Sequence, residues 1–124
     1  MVVFGPQATV EHSGWKYEPR GFTAAQMNLS YCLATEILEG DCFVDQFTED
    51  KLADPVRMAL ADRVEVIHDP AITALGPKFR QMVRVALHLQ DGTAIERTRE
   101  VGRHKIHFGS DAEVVGKFEK LARR

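Results

Sequence analysis

The run of residues 21–40, GFTAAQMNLSYCLATEILEG, constrains this chain more than any other stretch. Thr23 and Gln26 have the spacing of a capping box, in which a hydroxyl caps the helix start and a side-chain amide reaches back. Met27, Tyr31, Ala34 and Leu38 recur at i, i+4, i+7 and i+11, which is one face of an α-helix. Leu33 and Ile37 widen that stripe. Gly40 supplies the position after the helix, where a left-handed turn costs little. The run predicts one capped amphipathic helix that must bury its stripe against other elements.

The remaining elements follow from shorter signals. Residues 2–10 hold few turn signals beyond Gly5-Pro6 and predict a short edge strand, since Pro cannot donate to a central ladder. Residues 13–21 form a loop, in which Trp15 and Tyr17 either anchor the loop on the core or wall a ligand cleft. Thr48 caps a brief turn through Leu52. Asp54-Pro55 starts a helix that runs to about Asp62, with Asp as N-cap and Pro at the first helical position. Residues 63–68 alternate and predict a strand, stopped by Asp69-Pro70. Residues 71–75 predict one helical turn, closed by Gly76-Pro77.

Residues 78–101 predict a hairpin around Asp91-Gly92. A two-residue loop would put Ile95 on the wrong face. A three-residue loop, Gln90-Asp91-Gly92 with Gly92 left-handed, pairs Leu87 with Ile95 and Leu89 with Thr93 and keeps the apolar residues together. Ser110 and Glu113 form a second capping box. It opens a helix to about Ala122 with the stripe Val114, Phe118 and Leu121. The whole is a single α+β domain over residues 1–124, a small, mainly antiparallel sheet with helices packed on one face.

Several function classes fall away. The chain is 44% hydrophobic and 27% charged with a net charge of −2, so no global field draws it to nucleic acid. Arg84, Arg97 and Arg99 are interleaved with Glu96 and Glu100, which argues against a phosphate-tracking stripe. The first residues lack the basic and apolar segments of a signal peptide, and no apolar run reaches membrane-spanning length. A cytoplasmic location and no membrane partner are therefore expected. Cys32 and Cys42 are too few for a disulfide framework and are expected to be reduced. His104 and His107 lack a third ligand, so no metal is expected, and no motif calls for a cofactor.

Two groups remain for chemistry. Arg103, His104 and Lys105 lie in a basic loop that either holds a substrate carboxylate or is simply a charged surface. Tyr31 is either a core aromatic or a phenol in a cleft, with Asn28 three residues earlier on the same side of the helix.

The stretches AAQMNLSYCLATEILEG, DPVRMALADRVEVIHDP, LQDG and GSDAEVVGKFEKLA, in this order, resemble the MmgE/PrpD family over roughly residues 14–122. That family includes 2-methylcitrate dehydratases, cis-aconitate decarboxylases and iminodisuccinate epimerases. The strongest stretch is Ala25-Gln26, Asn28 at a position where Ser is common, then Tyr31 and Ala34. The resemblance implies the C-terminal α+β lid of an enzyme whose active site lies between that lid and a large helical domain. It implies a lyase or isomerase acting on a small di- or tricarboxylate, inactive without the helical domain as partner. It gives Tyr31 a catalytic role, with Asn28 and Arg103 as substrate contacts. A freestanding binding module is the alternative, and a homodimer is a further arrangement left open.

Overall fold

Three residues of extended chain at the N-terminus set up the sheet, because both neighbouring strands pair on them. The computed structural model describes residues 1–100 and 109–123. Its elements begin with β1 (Val2–Gly5), α1 (Gln7–Ser13), α2 (Phe22–Met27) and α3 (Leu29–Glu39). A 3₁₀ turn (Val44–Gln46), α4 (Glu49–Leu52), α5 (Pro55–Ala61), β2 (Glu65–His68) and α6 (Pro70–Ala74) follow. A second 3₁₀ turn (Pro77–Phe79), the hairpin β3 (Val83–His88) and β4 (Ala94–Arg99), and α7 (Asp111–Ala122) complete the order.

The four strands lie in the order β2-β1-β3-β4. β1 pairs with β2 in parallel and with β3 antiparallel, and β3 with β4 antiparallel. The α+β architecture and the mainly antiparallel sheet are as the sequence predicts. The position of β1 is not: it is interior, with β2 and β4 at the edges. Pro6 does not conflict with this, because it lies just past the last paired residue. Pro6 has φ −68° and its carbonyl accepts from the Thr9 and Val10 amides, so it ends the strand and opens α1. Residues 7–10, expected as strand, are therefore helical. The parallel β1–β2 pair needs a long crossover, and α1 to α5 provide it.

The pairing aligns Val3 with Val66 on one side and Val85 on the other, so these three side chains share one face. Helix α1 lies on that face. A Cβ on Gly14, at the end of α1, would come within 2.9 Å of Val66 Cγ1, so only glycine allows this approach. The opposite face carries Phe4, with the Arg84 guanidinium 4.0 Å above its ring. Arg84 also lies 3.7 Å from Asp69 and from Glu96.

The hairpin has the predicted register. Leu87 pairs with Ile95, Val85 with Arg97, and the Leu89 amide donates to the Thr93 carbonyl at 2.9 Å. Gly92 has φ +87°, the left-handed conformation that the three-residue loop requires. Asp91 Oδ1 accepts from the Thr93 amide at 2.8 Å and fixes the turn.

The long run is two helices, not one. Asn28 has φ −95° and ψ 118°, outside the helical region, and separates α2 from α3. Its side chain caps α3. The capping box at Thr23 and Gln26 does not form; Gly21 occupies the N-cap of α2 with no side-chain bond. Gly40 closes α3 with φ +67° and its amide donates to the Glu36 carbonyl, as expected. The Asp54 and Ser110 caps form as expected, Thr48 precedes α4 without a side-chain cap bond, and Asp69, expected as a strand stop, also caps α6.

The core joins Tyr17, Ala25, Tyr31, Ala34, Leu52 and Ala61, with Phe47, Met58 and Leu60 packed against them. Only the middle of the predicted stripe enters it. Met27, Ile37 and Leu38 are exposed, because the bend at Asn28 and the short length of α5 leave the ends of the stripe uncovered. Among the described residues no helix is long and apolar enough to cross a membrane.

Candidate functional site

Tyr31 is the largest fully buried side chain, with 0% exposure. It projects from the first turn of α3 towards the 3₁₀ turn, where its hydroxyl donates to the Gln46 carbonyl at 2.6 Å. The Tyr17 ring lies 4.8 Å away and the Phe47 ring 5.5 Å away, both tilted, as aromatic quadrupoles prefer. Burial raises the Tyr31 pKa, opposed by Arg57 and Thr35. The Tyr17 hydroxyl, pushed up to about 12 chiefly by burial and then by Tyr31, donates to the Leu52 carbonyl at 2.7 Å. Both phenols are thus protonated donors to backbone carbonyls at neutral pH. Tyr17 anchors the 13–21 loop, whereas Trp15 is exposed.

Asn28 is likewise fully enclosed. Its Oδ1 accepts from the Tyr31 amide at 2.9 Å and its Nδ2 donates to the Trp15 carbonyl at 2.7 Å. One amide caps α3 and ties it to the preceding loop, which explains a polar residue at the break between two helices. The structure brings Tyr31 and Asn28 together, as the spacing predicts. It brings them together inside the core, not at an open cleft. Arg103, with its neighbours His104 and Lys105, lies outside the described residues.

Beside Tyr31 is a polar group that sequence reasoning missed. Arg57, on α5, is buried and donates through Nη1 to Thr35 Oγ1 at 2.7 Å. Its Nη2 donates to Glu39 Oε1. Its guanidinium carbon is 5.6 Å from the centroid of the Tyr31 ring. Glu39 Oε2 accepts from Lys51 Nζ at 2.8 Å and from Gln46 Nε2 at 3.1 Å. Gln46 Oε1 in turn accepts from the Phe43 amide at 2.9 Å. Hydrogen bonds from Lys51, Arg57 and Gln46 hold the Glu39 carboxyl down to about 2. The signal was present: Thr35 and Glu39 are four apart on α3, and a helix that packs on them carries Arg57. Apart from Arg57 Nε, the network uses its donors and acceptors on one another, which fits a structural clamp rather than a substrate site.

Cys32 and Cys42 are free thiols. Burial, and then the nearby Cys42, push Cys32 up to about 12, so it is a poor nucleophile. Among the described residues no group of His, Cys, Asp and Glu could hold a metal ion.

The openings lie elsewhere. A cavity of about 430 Å³ runs along Leu38, Val56, Ala59 and Leu60 between α3 and α5. A second, of about 250 Å³, shares Leu60 and Arg63 with it and continues past Ile37 to Leu87 and Leu89 on the hairpin. Together they make one apolar face, and Val56 on it is 64% exposed. Helix α7 carries a second uncovered stripe, with Phe118 69% exposed. It touches the body where Lys120 pairs with Asp41 and sits 4.6 Å from the Phe43 ring.

A four-stranded sheet, a clamped helical layer and a long uncovered apolar face define a small α+β domain with a packing surface left open. The chain belongs to the MmgE/PrpD C-terminal domain family, whose model matches residues 2–124. It is 27% identical over 113 residues to the cis-aconitate decarboxylase-like protein oryM of Aspergillus oryzae, covering 90% of this chain and 23% of that protein. It is 31% identical over 97 residues to the cis-aconitate decarboxylase of Aspergillus terreus, covering 75% of this chain and 20% of that protein. The chain thus spans only 20% to 23% of the length of these curated relatives.

Proposed function

We propose that this chain is the lid half of an MmgE/PrpD-type lyase or isomerase acting on a small di- or tricarboxylate, and that it is inactive alone. The observation that carries the reading is the apolar face of Ile37, Leu38, Val56 and Leu89, left uncovered on a chain that spans only 20% to 23% of the length of its curated relatives. A module that worked by itself would be expected to close such a face, because contiguous apolar patches of this kind mark docking surfaces. The partner is a helical domain, in trans or on the same polypeptide.

The names of the relatives make decarboxylation of cis-aconitate the first reaction to test. Dehydration and epimerisation are the other outcomes. All three move a proton or a carboxyl group next to a retained carboxylate, so they need an acid or base and anion-binding donors in one closed cleft. In this reading the lid gives the cleft its wall and its anion contacts, Arg103 among them. Asn28 and Tyr31 hold that wall in shape, since their polar atoms are engaged inside the core. The proton-handling groups come from the helical side.

Docking is tested by association of the chain with the helical domain of a family cis-aconitate decarboxylase. Val56→Glu should leave the fold intact, because Val56 is exposed, and weaken association at least about tenfold by burying an unpaired charge. Equal association of both forms would put the docking face elsewhere. No association of the unaltered chain would favour a freestanding binding module.

A further inference from the structure

Among the described residues, a further cavity lies outside both the core and the apolar face. It has a volume of about 400 Å³ and lies between the end of α1 and the segment that enters β3. Its polar lining is Thr9, His12, Ser13, Arg80 and Gln81, with Met27 on the side of the core helices. No carboxylate lines it. The cavity along Gly14 to Tyr17, by contrast, is lined by both Lys16 and Asp62.

Two carbonyls near the end of α1 are already engaged. Ser13 Oγ donates to the Thr9 carbonyl at 2.8 Å, and the Gly14 amide donates to the Val10 carbonyl at 3.0 Å. Glu11, the neighbouring acid on α1, accepts from Gln7 Nε2 at 2.6 Å. His12 and Arg80 bring the nitrogen donors to this lining, beside the hydroxyls of Thr9 and Ser13 and the amide of Gln81. Arg80 is exposed, forms no ion pair with a described residue, and presents a planar fork that fits a carboxylate. The His12 imidazole supplies a further donor from the opposite wall. The cavity also adjoins Met27, the last residue of α2.

We propose that this His12–Arg80 cavity is the seat on the lid for one carboxylate of the substrate, a small polycarboxylate. Its volume is in the range of about 300–1,000 Å³ typical of small-molecule sites. Arg80 takes the carboxylate in a two-point contact, and His12 takes a single hydrogen bond to one of its oxygens. The inference rests on the lid reading for the identity of the ligand, but the seat belongs to this chain alone.

The test is therefore made on the chain by itself, by titrating cis-aconitate into the ¹⁵N-labelled protein and following amide shifts. The expected result is saturable shifts confined to residues 9–13, Met27 and residues 80–81, with a dissociation constant of about 1–10 mM for half a site. Arg80→Gln should weaken binding at least about tenfold, His12→Gln several-fold, and Lys16→Gln not at all. Shifts scattered over other surfaces, no shifts at 10-fold excess over that range, or equal binding by Arg80→Gln would each overturn the seat. Failure of the lid reading has a different signature: selective binding at Arg80 in the chain, with no turnover when a helical domain is supplied.

Discussion

Replacing Glu39 with alanine should destabilise the chain by about 3–5 kcal/mol, the range seen when a buried charge is left without its ionic partner, because Arg57 is buried although Glu39 itself is not. The asymmetry of the pair makes this specific. The Arg57 side chain is 5% exposed and the Glu39 side chain 25%. Without Glu39, a buried guanidinium keeps only Thr35 and the face of Tyr31, and its Nε has no hydrogen-bond partner to begin with. Without Arg57, by contrast, Glu39 still has Lys51 and Gln46 and some contact with water. Arg57→Met should accordingly cost less, about 1–2 kcal/mol. The double variant should recover part of the Glu39→Ala loss, with a coupling of about 1–3 kcal/mol by urea denaturation of the four proteins. Equal effects of the two single variants, or additivity, would contradict a buried clamp. A loss of this size is a large part of the roughly 5–15 kcal/mol that holds a domain together.

The same carboxylate gives the acid behaviour a sign. Its pKa falls from the ordinary 4.5 to about 2 in the folded chain, so the unfolded chain binds its proton first. The stabilisation from Glu39 is then complete above the unfolded value and is lost as pH falls from about 4.5 through about 2. Glu39→Gln should lack that part of the acid dependence, which denaturation at pH 7 and pH 3 would reveal.

The second large effect concerns Tyr31. Tyr31→Ala removes the largest fully buried side chain and should destabilise the fold by about 3–5 kcal/mol, the cost of emptying an aromatic site in a core. Tyr31→Phe keeps the ring against Tyr17 and Phe47 and loses the hydroxyl's bond to the Gln46 carbonyl and its interaction with Thr35, at about 1–3 kcal/mol for the orphaned acceptor. In an enzyme reconstituted with a helical domain, Tyr31→Phe should retain turnover to within a few-fold. A positioned general acid or base contributes about 10²–10⁴-fold. A loss of that size, with stability measured to be intact, would put the Tyr31 hydroxyl in the reaction and require the lid to open around it.

How far the sequence reaches differs between the elements. Several caps and turns were legible because their chemistry is local: Asp54-Pro55, Ser110 with Glu113, and the Gly92 turn with its register depend on neighbours within a few residues, although the Thr23–Gln26 box and the Thr48 cap did not form. The bend at Asn28 was not, although asparagine is among the best N-caps. A stripe that continued in phase from Met27 to Leu38 hid a break whose cause is a loop carbonyl, that of Trp15, thirteen residues earlier. The interior place of β1 was hidden for the same reason, since its partners Glu65 and Ala86 are distant in the chain. The Tyr31 environment shows the limit for function. The 3.6-residue period put Tyr31 and Asn28 on one side of the helix, but it could not say whether that side faces a cleft or Tyr17, Phe47 and Arg57.

On the proposed reading, this chain completes an enzyme for small polycarboxylates only when a helical domain is present. The direct test is turnover of cis-aconitate, with 2-methylcitrate beside it, by the purified chain alone and then with an added helical domain of the family. Release of CO₂ or water only in the mixture is the predicted result. Turnover by the chain alone would contradict the division of labour between the two parts, and inactivity of a mixture that demonstrably associates would contradict the lid reading itself.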